Sequence, residues 1–457
     1  MSEGPARKAD SCAVVRAPLY PHVLGIATAV AIEPVLGVRY LSVAHWLRQF
    51  WSWPEERRRR WQQLRVDEMV GYAARAVPFY RSLVGPRGDI RLGDLPVVDK
   101  GRIRGDMTAF LSDRWQEVPH ITKATGGTTG DPWRYPLDKV AWSHMYGAAL
   151  HAWERTGYRY GDRMVLLGSP PSLVPGGRSW KSKARLRLER RFVSAAGIEI
   201  DRAESRRRVV TAGRLGAALW YGYAGTIARM AEAVLDEGLP VTPPGAIVTT
   251  SETLTPEWRR RIDEAFGVDV VDEYGCNDGG VLAHSCAGGR YHIAENVSFV
   301  EVVDGDTPCP PGVEGDVAVT NLHARALPFL RYKIGDRAVL GNGRCPCGRP
   351  GTTFERLLGR TADTVRLPDG RELSAISFGH VFKETPRVRR WQVVQPDVRT
   401  VKVRLEVESE LGSDEAERIQ RYFCERVGRE VAVELTTVER MERTAGGKHK
   451  IVVRLFE

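Results

Sequence analysis

Three groups of residues in this sequence have types and spacings that suit chemistry. Thr125-Gly126-Gly127-Thr128-Thr129-Gly130, followed by Asp131-Pro132, mixes residues that allow close backbone approach with residues that carry hydroxyl donors. Glycine permits positive φ, so successive N–H groups can turn inward as an anion-binding nest to which threonine adds donors. A phosphate would fit such a nest, although the same composition also describes a plain polar turn. No Gly-Lys-Ser/Thr follows at P-loop spacing, so that motif is excluded. Cys286, His292, Cys345 and Cys347 offer three thiolates and one imidazole, the donor set of a closed tetrahedral zinc site. Their spacing is not that of a standard finger, and unrelated loop cysteines beside glycine turns are the alternative. Lys448 follows Gly446-Gly447 as a single long cation. It suits either a solvated surface or delivery of charge to a developing oxyanion.

These groups need a large scaffold. At 457 residues the chain predicts one large domain and at least one smaller one. A hydrophobic fraction of 42% with 27% charged residues is that of a soluble globular protein. The net charge of +10 comes mainly from arginine, in runs such as Arg57 to Arg60, Arg206 to Arg208 and Arg259 to Arg261. Each run falls inside an amphipathic helical pattern, which predicts solvated helix faces rather than a nucleic-acid surface. Seven cysteines are too few and too scattered for a disulfide framework. The apolar stretch from Val23 to Val38 is too short to span a bilayer and carries Glu33-Pro34. A cytoplasmic protein with no membrane or nucleic-acid partner is expected, its oligomeric state open.

Along the chain, residues 16–90 read as a helical entry segment. Asp99 is a predicted N-cap before a helix through Ile103, and Asp138 to Arg155 is helical. Met164 to Ser169, Gly245 to Ser251 and Val268 to Tyr274 read as buried strands, each emptying into a polar loop. That pattern predicts an α/β domain with ligand loops at the C-terminal strand ends. After Gly359 a hairpin, a helix over Ser374 to Lys383, a strand pair, a helix over Ser413 to Val427 and a strand over Val431 to Val438 fit a small ferredoxin-like α+β domain. The expected division is 1–358 and 359–457.

Five motifs in order give the chain a family likeness. They are Thr125-Gly126-Gly127-Thr128-Thr129-Gly130-Asp131-Pro132; Ser251-Glu252; Glu273-Tyr274-Gly275-Cys276-Asn277-Asp278; Arg331-Tyr332-Lys333-Ile334-Gly335-Asp336; and Gly359-Arg360 with Arg443 to Lys448. In these the chain resembles the adenylate-forming ligase superfamily, and within it the phenylacetate-CoA ligase and capsule-biosynthesis branch. The resemblance implies a large adenylate-binding domain with a mobile C-terminal lid. It implies that the Gly/Thr loop, with Thr125, Thr128 and Thr129, holds ATP phosphates, and that Ser251, Glu252 and Tyr274-Gly275 enclose adenine. Asp336 would grip the ribose hydroxyls, with Arg360 near the nucleotide, and Lys448 would pair with the carboxylate and α-phosphate. Asn277-Asp278 stands where the family has Thr-Glu, so Asp278 would bind Mg²⁺ through a carboxylate one methylene shorter. Ala362 stands where the family often pivots. Similar Cys and His positions recur in this branch, with Cys286, His292, Cys345 and Cys347 holding a structural Zn²⁺.

The expected function is ATP-dependent activation of a small-molecule acid as an acyl-adenylate, with transfer to a thiol, CoA, or to an amine. Activation of another oxyanion such as nitrite, or an inactive nucleotide-binding scaffold, remain alternatives.

Overall fold

The computed structural model describes residues 26–456 apart from 28–29, 32, 35–36, 85–89, 125–132, 168–185, 188, 195–201, 361–363, 371, 375–377, 379–380, 383–384, 386 and 443–449. The Gly/Thr loop, Ala362 and Lys448 therefore lie outside the described residues.

The described residues between 26 and 34 are helical, and two longer helices follow. Helix α1 (Tyr40–Phe50) buries Tyr40, Val43, Ala44, Leu47 and Phe50, the i, i+3, i+4, i+7 stripe that a core-facing helix requires. Helix α2 (Glu55–Ala76) buries Val66, Met69, Val70 and Ala73. Asp99 is the predicted cap: its carboxylate accepts the Arg102 N–H at 2.8 Å. The hairpin β1 (His120–Ala124) and β2 (Arg134–Asp138) brackets the Gly/Thr loop. Helix α3 (Lys139–Glu154) follows, packed on α1.

A 13-stranded mixed sheet forms the centre. Its parallel half contains β3 (Met164–Leu167), β4 (Arg191–Ser194), β5 (Leu219–Tyr223), β6 (Ala246–Thr250) and β7 (Val270–Gly275). Helices α4 (Arg202–Arg214), α5 (Ala224–Glu237) and α6 (Pro256–Phe266) connect these strands. They cover the face formed by Val165, Trp220 and Ile247, while the opposite face joins the core of α1 and α3. Burial on both faces explains the unbroken apolar run of β3 and the apolar start of β6. The antiparallel half continues through β8 (Leu282–Ser285), β9 (Tyr291–Ile293), β10 (Ser298–Asp304), β11 (Glu314–Asn321), β12 (Tyr332–Leu340) and β13 (Thr353–Arg360). Val98–Asp99 pairs parallel to Tyr332 and Lys333, which docks the following helix against β12.

A second core gathers Val365, Phe378, Phe382, Trp391, Val403, Ile419 and Phe423. Its sheet contains β14 (Val388–Asp397), β15 (Thr400–Val407), β16 (Ala432–Val438) and β17 (Val452–Arg454), with α7 (Ser413–Val427) between β15 and β16. A mixed α/β body with a large sheet and a small C-terminal α+β unit is what the sequence predicts. Strand β17, too short for alternation to reveal, is an addition to that reading. Much of the expected helix over residues 374–383 lies outside the described residues, and the 358/359 division falls near the end of β13.

Candidate functional site

Several expected site residues meet where β6, β7 and β12 converge. Thr250 lies opposite Glu273 in the β6–β7 pairing, so Ser251 and Tyr274 emerge side by side at the strand ends. Ser251 has φ 66°, a left-handed conformation that costs a non-glycine residue energy and is concentrated at functional turns. The Glu252 carboxylate accepts the Gly225 N–H at 2.7 Å, in the first turn of α5. The favourable helix field there holds its charge in place. The Tyr274 hydroxyl donates to Asp336 Oδ2 at 2.6 Å. Tyr274 and Asp336 belong to strands that are not neighbours in the sheet, so this bond joins two separate motifs.

Asp278 lies on the turn after β7 and is 8% exposed. That turn closes on Gly279 and Gly280, both at positive φ, and a Cβ on either would collide with Val319 or Asn321. The Tyr332 hydroxyl donates to Asp278 Oδ2 at 3.0 Å, the Cys276 thiol donates to Oδ1 at 3.0 Å, and Lys100 Nζ lies 3.5 Å from Oδ2. Cys276 is thus a hydrogen-bond donor to Asp278. Burial, with the Asp278 charge second, pushes the Tyr135 and Tyr332 hydroxyls well above the ordinary phenol value. Both remain protonated at neutral pH, and Tyr332 is the one that donates to Asp278. Lys100 also lies 5.3 Å from the centre of the Trp133 ring, immediately beyond the Gly/Thr loop. Magnesium is commonly held by one or two carboxylates together with substrate phosphates. A single buried carboxylate whose present partners are two neutral donors and one lysine fits that role.

Lys100 and Tyr332 were not singled out as site residues. Tyr332 sits inside a quoted motif, and Lys100 follows its N-cap directly, but only the pairing of Val98–Asp99 with β12 brings them to Asp278. Glu273 is a further surprise: a 7% exposed carboxylate that accepts from Tyr221 at 2.6 Å, Trp153 Nε1 at 3.0 Å and His284 Nε2 at 2.9 Å. An acid in an otherwise apolar strand is the signal for such a network, since a buried carboxylate must be paired. Gly275 ends β7, Asn277 is half-buried next to Asp278, and the backbone of Arg360 ends β13. Thr125, Gly126, Gly127, Thr128, Thr129, Gly130 and Lys448 lie outside the described residues.

The second group does assemble. The ligand atoms of Cys286, His292, Cys345 and Cys347 all lie within 4.8 Å of one another. Cys286 Sγ is 3.5 Å from Cys345 Sγ, and His292 Nε2 is 3.1 Å from Cys347 Sγ. Four sulfur or nitrogen donors around zinc would lie roughly 3–4 Å apart, given bonds of about 2.0–2.3 Å. The donor set therefore fits Zn²⁺, with two of its separations in that range and none beyond 4.8 Å. The β8–β9 hairpin brings Cys286 and His292 together across the Gly288 turn, where a Cβ would press on Cys345 Sγ at 3.2 Å and Cys347 N at 3.0 Å. Burial holds the His292 imidazole down at about 4, neutral and able to coordinate.

The chain is similar to several known proteins. Residues 366–455 match the CapK C-terminal domain family. The chain is 28% identical over 452 residues to a phenylacetate-coenzyme A ligase of Thermus thermophilus, covering 88% of this chain and 97% of the relative. It is 22% identical to protein CapK of Staphylococcus aureus, covering 86% and 88% of the two chains. Among solved structures, 2-hydroxyisobutyryl-CoA ligase in the postadenylation state, in complex with R3-HIB-AMP, superposes with a TM-score of 0.70 at 20% identity. That match covers 88% of this chain and 90% of the other. No described helix is long and apolar enough to cross a membrane.

Proposed function

We propose that this chain, a member of the adenylate-forming ligase superfamily and an AMP-forming ligase, activates a carboxylic acid with ATP and passes the acyl group to a thiol, with CoA the expected acceptor. In the first step a carboxylate oxygen attacks the α-phosphorus, and the bond to pyrophosphate breaks to leave acyl-adenylate. In the second the acceptor sulfur, or nitrogen, attacks the acyl carbon, and AMP departs with the oxygen that came from the acid. Alignment and charge neutralisation govern such a reaction more than acid or base catalysis.

The observation that carries this reading is the convergence of Ser251, Tyr274, Asp336 and Asp278 at one end of the sheet. Tyr274 offers a face for adenine, and its hydroxyl orients Asp336 toward the ribose. Asp278 would hold Mg²⁺, which supplies charge neutralisation at the phosphates. The hydroxyls and N–H groups of Thr125 to Gly130 would bind those phosphates. Residues 359–457 would act as a lid that brings Lys448 to the reacting carboxylate. Zinc on Cys286, His292, Cys345 and Cys347 would be structural, because all four ligands come from protein and leave no open position. Retention of the thiols favours a reducing, cytoplasmic setting.

ATP–pyrophosphate exchange across a panel of aryl, alkyl and amino acids tests the first step. Acid-dependent exchange is expected, and CoA or an amine should then discharge the adenylate. Purified protein that binds ATP yet exchanges with no acid would instead support a nucleotide-binding scaffold.

A further inference from the structure

A cavity of about 400 Å³ lies between α1, the C-terminal end of α3, and β8–β9. Its walls include Trp51, His151, Arg155, His284, Asn296 and Arg349, and no carboxylate side chain lines it among the described residues. The β7–β8 register fixes where it lies. Leu282 is paired with Gly275 at the Tyr274 end of the sheet, His284 with Glu273, and the chain then runs away from that end to Cys286. The cavity thus sits on the Cys/His side, away from the Ser251, Tyr274 and Asp336 cluster.

Its polar groups are poorly matched to one another. Asn296 is fully buried, and neither its Oδ1 nor its Nδ2 has a partner among the described residues. Arg155 lies 3.3 Å from His151 Nε2. Arginine can only donate, so Nε2 is the acceptor and the proton sits on Nδ1, itself buried without a partner among the described residues. Burial keeps this imidazole neutral, with its pKa pulled down to about 4. Arg155 and Arg349 stand exposed at the same cavity with like charge. The buried donors Asn296 Nδ2 and His151 Nδ1 cost free energy while unpaired, and an anionic acceptor with an apolar body would pair with them and with the two guanidinium groups.

We propose that this cavity is a second binding site, distinct from the nucleotide site, for a small organic anion. Its carboxylate or phosphate head is held by Arg155, Arg349, His151 and Asn296, and its apolar body lies against Trp51. The size is typical of small-molecule pockets. His284 lines the cavity and also bonds Glu273, which adjoins Tyr274, so an occupant touches the wall shared with the nucleotide site. The proposal rests on the ligase reading only for the place of the nucleotide site, which AMP blocks in the test.

Calorimetric titration of the full chain, kept saturated with AMP, with phenyl phosphate, benzoate and neutral benzyl alcohol tests it. Saturable binding of one or both anions is expected, with the tighter one assigning the head group. Affinity should fall at least about tenfold in Arg155→Gln/Arg349→Gln. The singly substituted Arg155→Gln serves if the double variant misfolds, with zinc content checking the neighbouring cluster. The proposal is overturned if neither anion binds more tightly than about 10 mM, if benzyl alcohol binds as well as the anions, or if the arginine substitutions leave affinity unchanged.

Discussion

Asp278 concentrates most of what single residues can test. It is buried and accepts from Tyr332 and Cys276 beside the Lys100 ammonium, so its charge matters more than its shape. Asp278→Asn should raise the Mg²⁺ requirement and lower turnover by about 10–100-fold, whereas Asp278→Glu should be tolerated. Magnesium titrations of the exchange rate check this, and wild-type kinetics in Asp278→Asn would mean that the metal is held elsewhere. A second carboxylate makes a pH prediction. Asp138 is 2% exposed, and burial raises its pKa to about 6, despite the N–H groups of Arg325 and Ala326 that it accepts. A raised acid stabilises the fold below its unfolded value and loses that contribution as pH rises through its folded value. Between pH about 4 and about 6, wild type should therefore lose stability relative to Asp138→Asn, by up to about 3 kcal/mol. The depressed histidines His144 and His323 act in the opposite direction over part of that window, but they are common to both proteins and cancel in the difference. Parallel melting curves across the window would contradict the assignment.

Among the elements, the Cys/His hairpin is the clearest case of a sequence pattern becoming geometry. Cys345→Ala/Cys347→Ala should release about one equivalent of zinc and lower the melting temperature before it changes the chemistry, because the cluster closes the β8–β9 turn. Metal analysis of purified protein decides this, and unchanged zinc in the double variant would remove the site. The four residues that come together here were legible because their types are rare and their chemistry narrow. The arginine runs were read less fully. The sequence predicts solvated helix faces, and most of these side chains do face solvent, yet Arg58, Arg208 and Arg261 are 2%, 4% and 7% exposed. Arg208 and Arg261 pair with Glu204 and Glu257 four residues earlier, and Arg58 reaches Glu295 from α2. Helical spacing could have suggested the first two pairs. The third depends on a contact 237 residues away in the chain, which no local pattern contains.

At the scale of the whole molecule, the parallel strands were legible because burial on both faces leaves unbroken apolar runs, and the small C-terminal unit because its periodicity changes after Gly359. How the two units meet was not. Arg389 and Arg390, from β14, pair with Asp236 and Glu232 of α5 and with Glu408 and Glu406. Arg229 of α5 also reaches Glu406. Ion pairs between separate cores carry no sequence signature, since each residue alone reads as a solvated charge. The arrangement they hold matters only if the molecule makes acyl-adenylate. Incubating the enzyme with ATP, CoA and an accepted acid labelled with heavy oxygen in its carboxylate, then analysing the products by mass, follows the atoms directly. Transfer of one labelled oxygen into the phosphate of AMP, with unlabelled pyrophosphate, is the expected result. Unlabelled AMP, or ADP with the label in inorganic phosphate, would contradict attack on the α-phosphorus and with it the proposed chemistry.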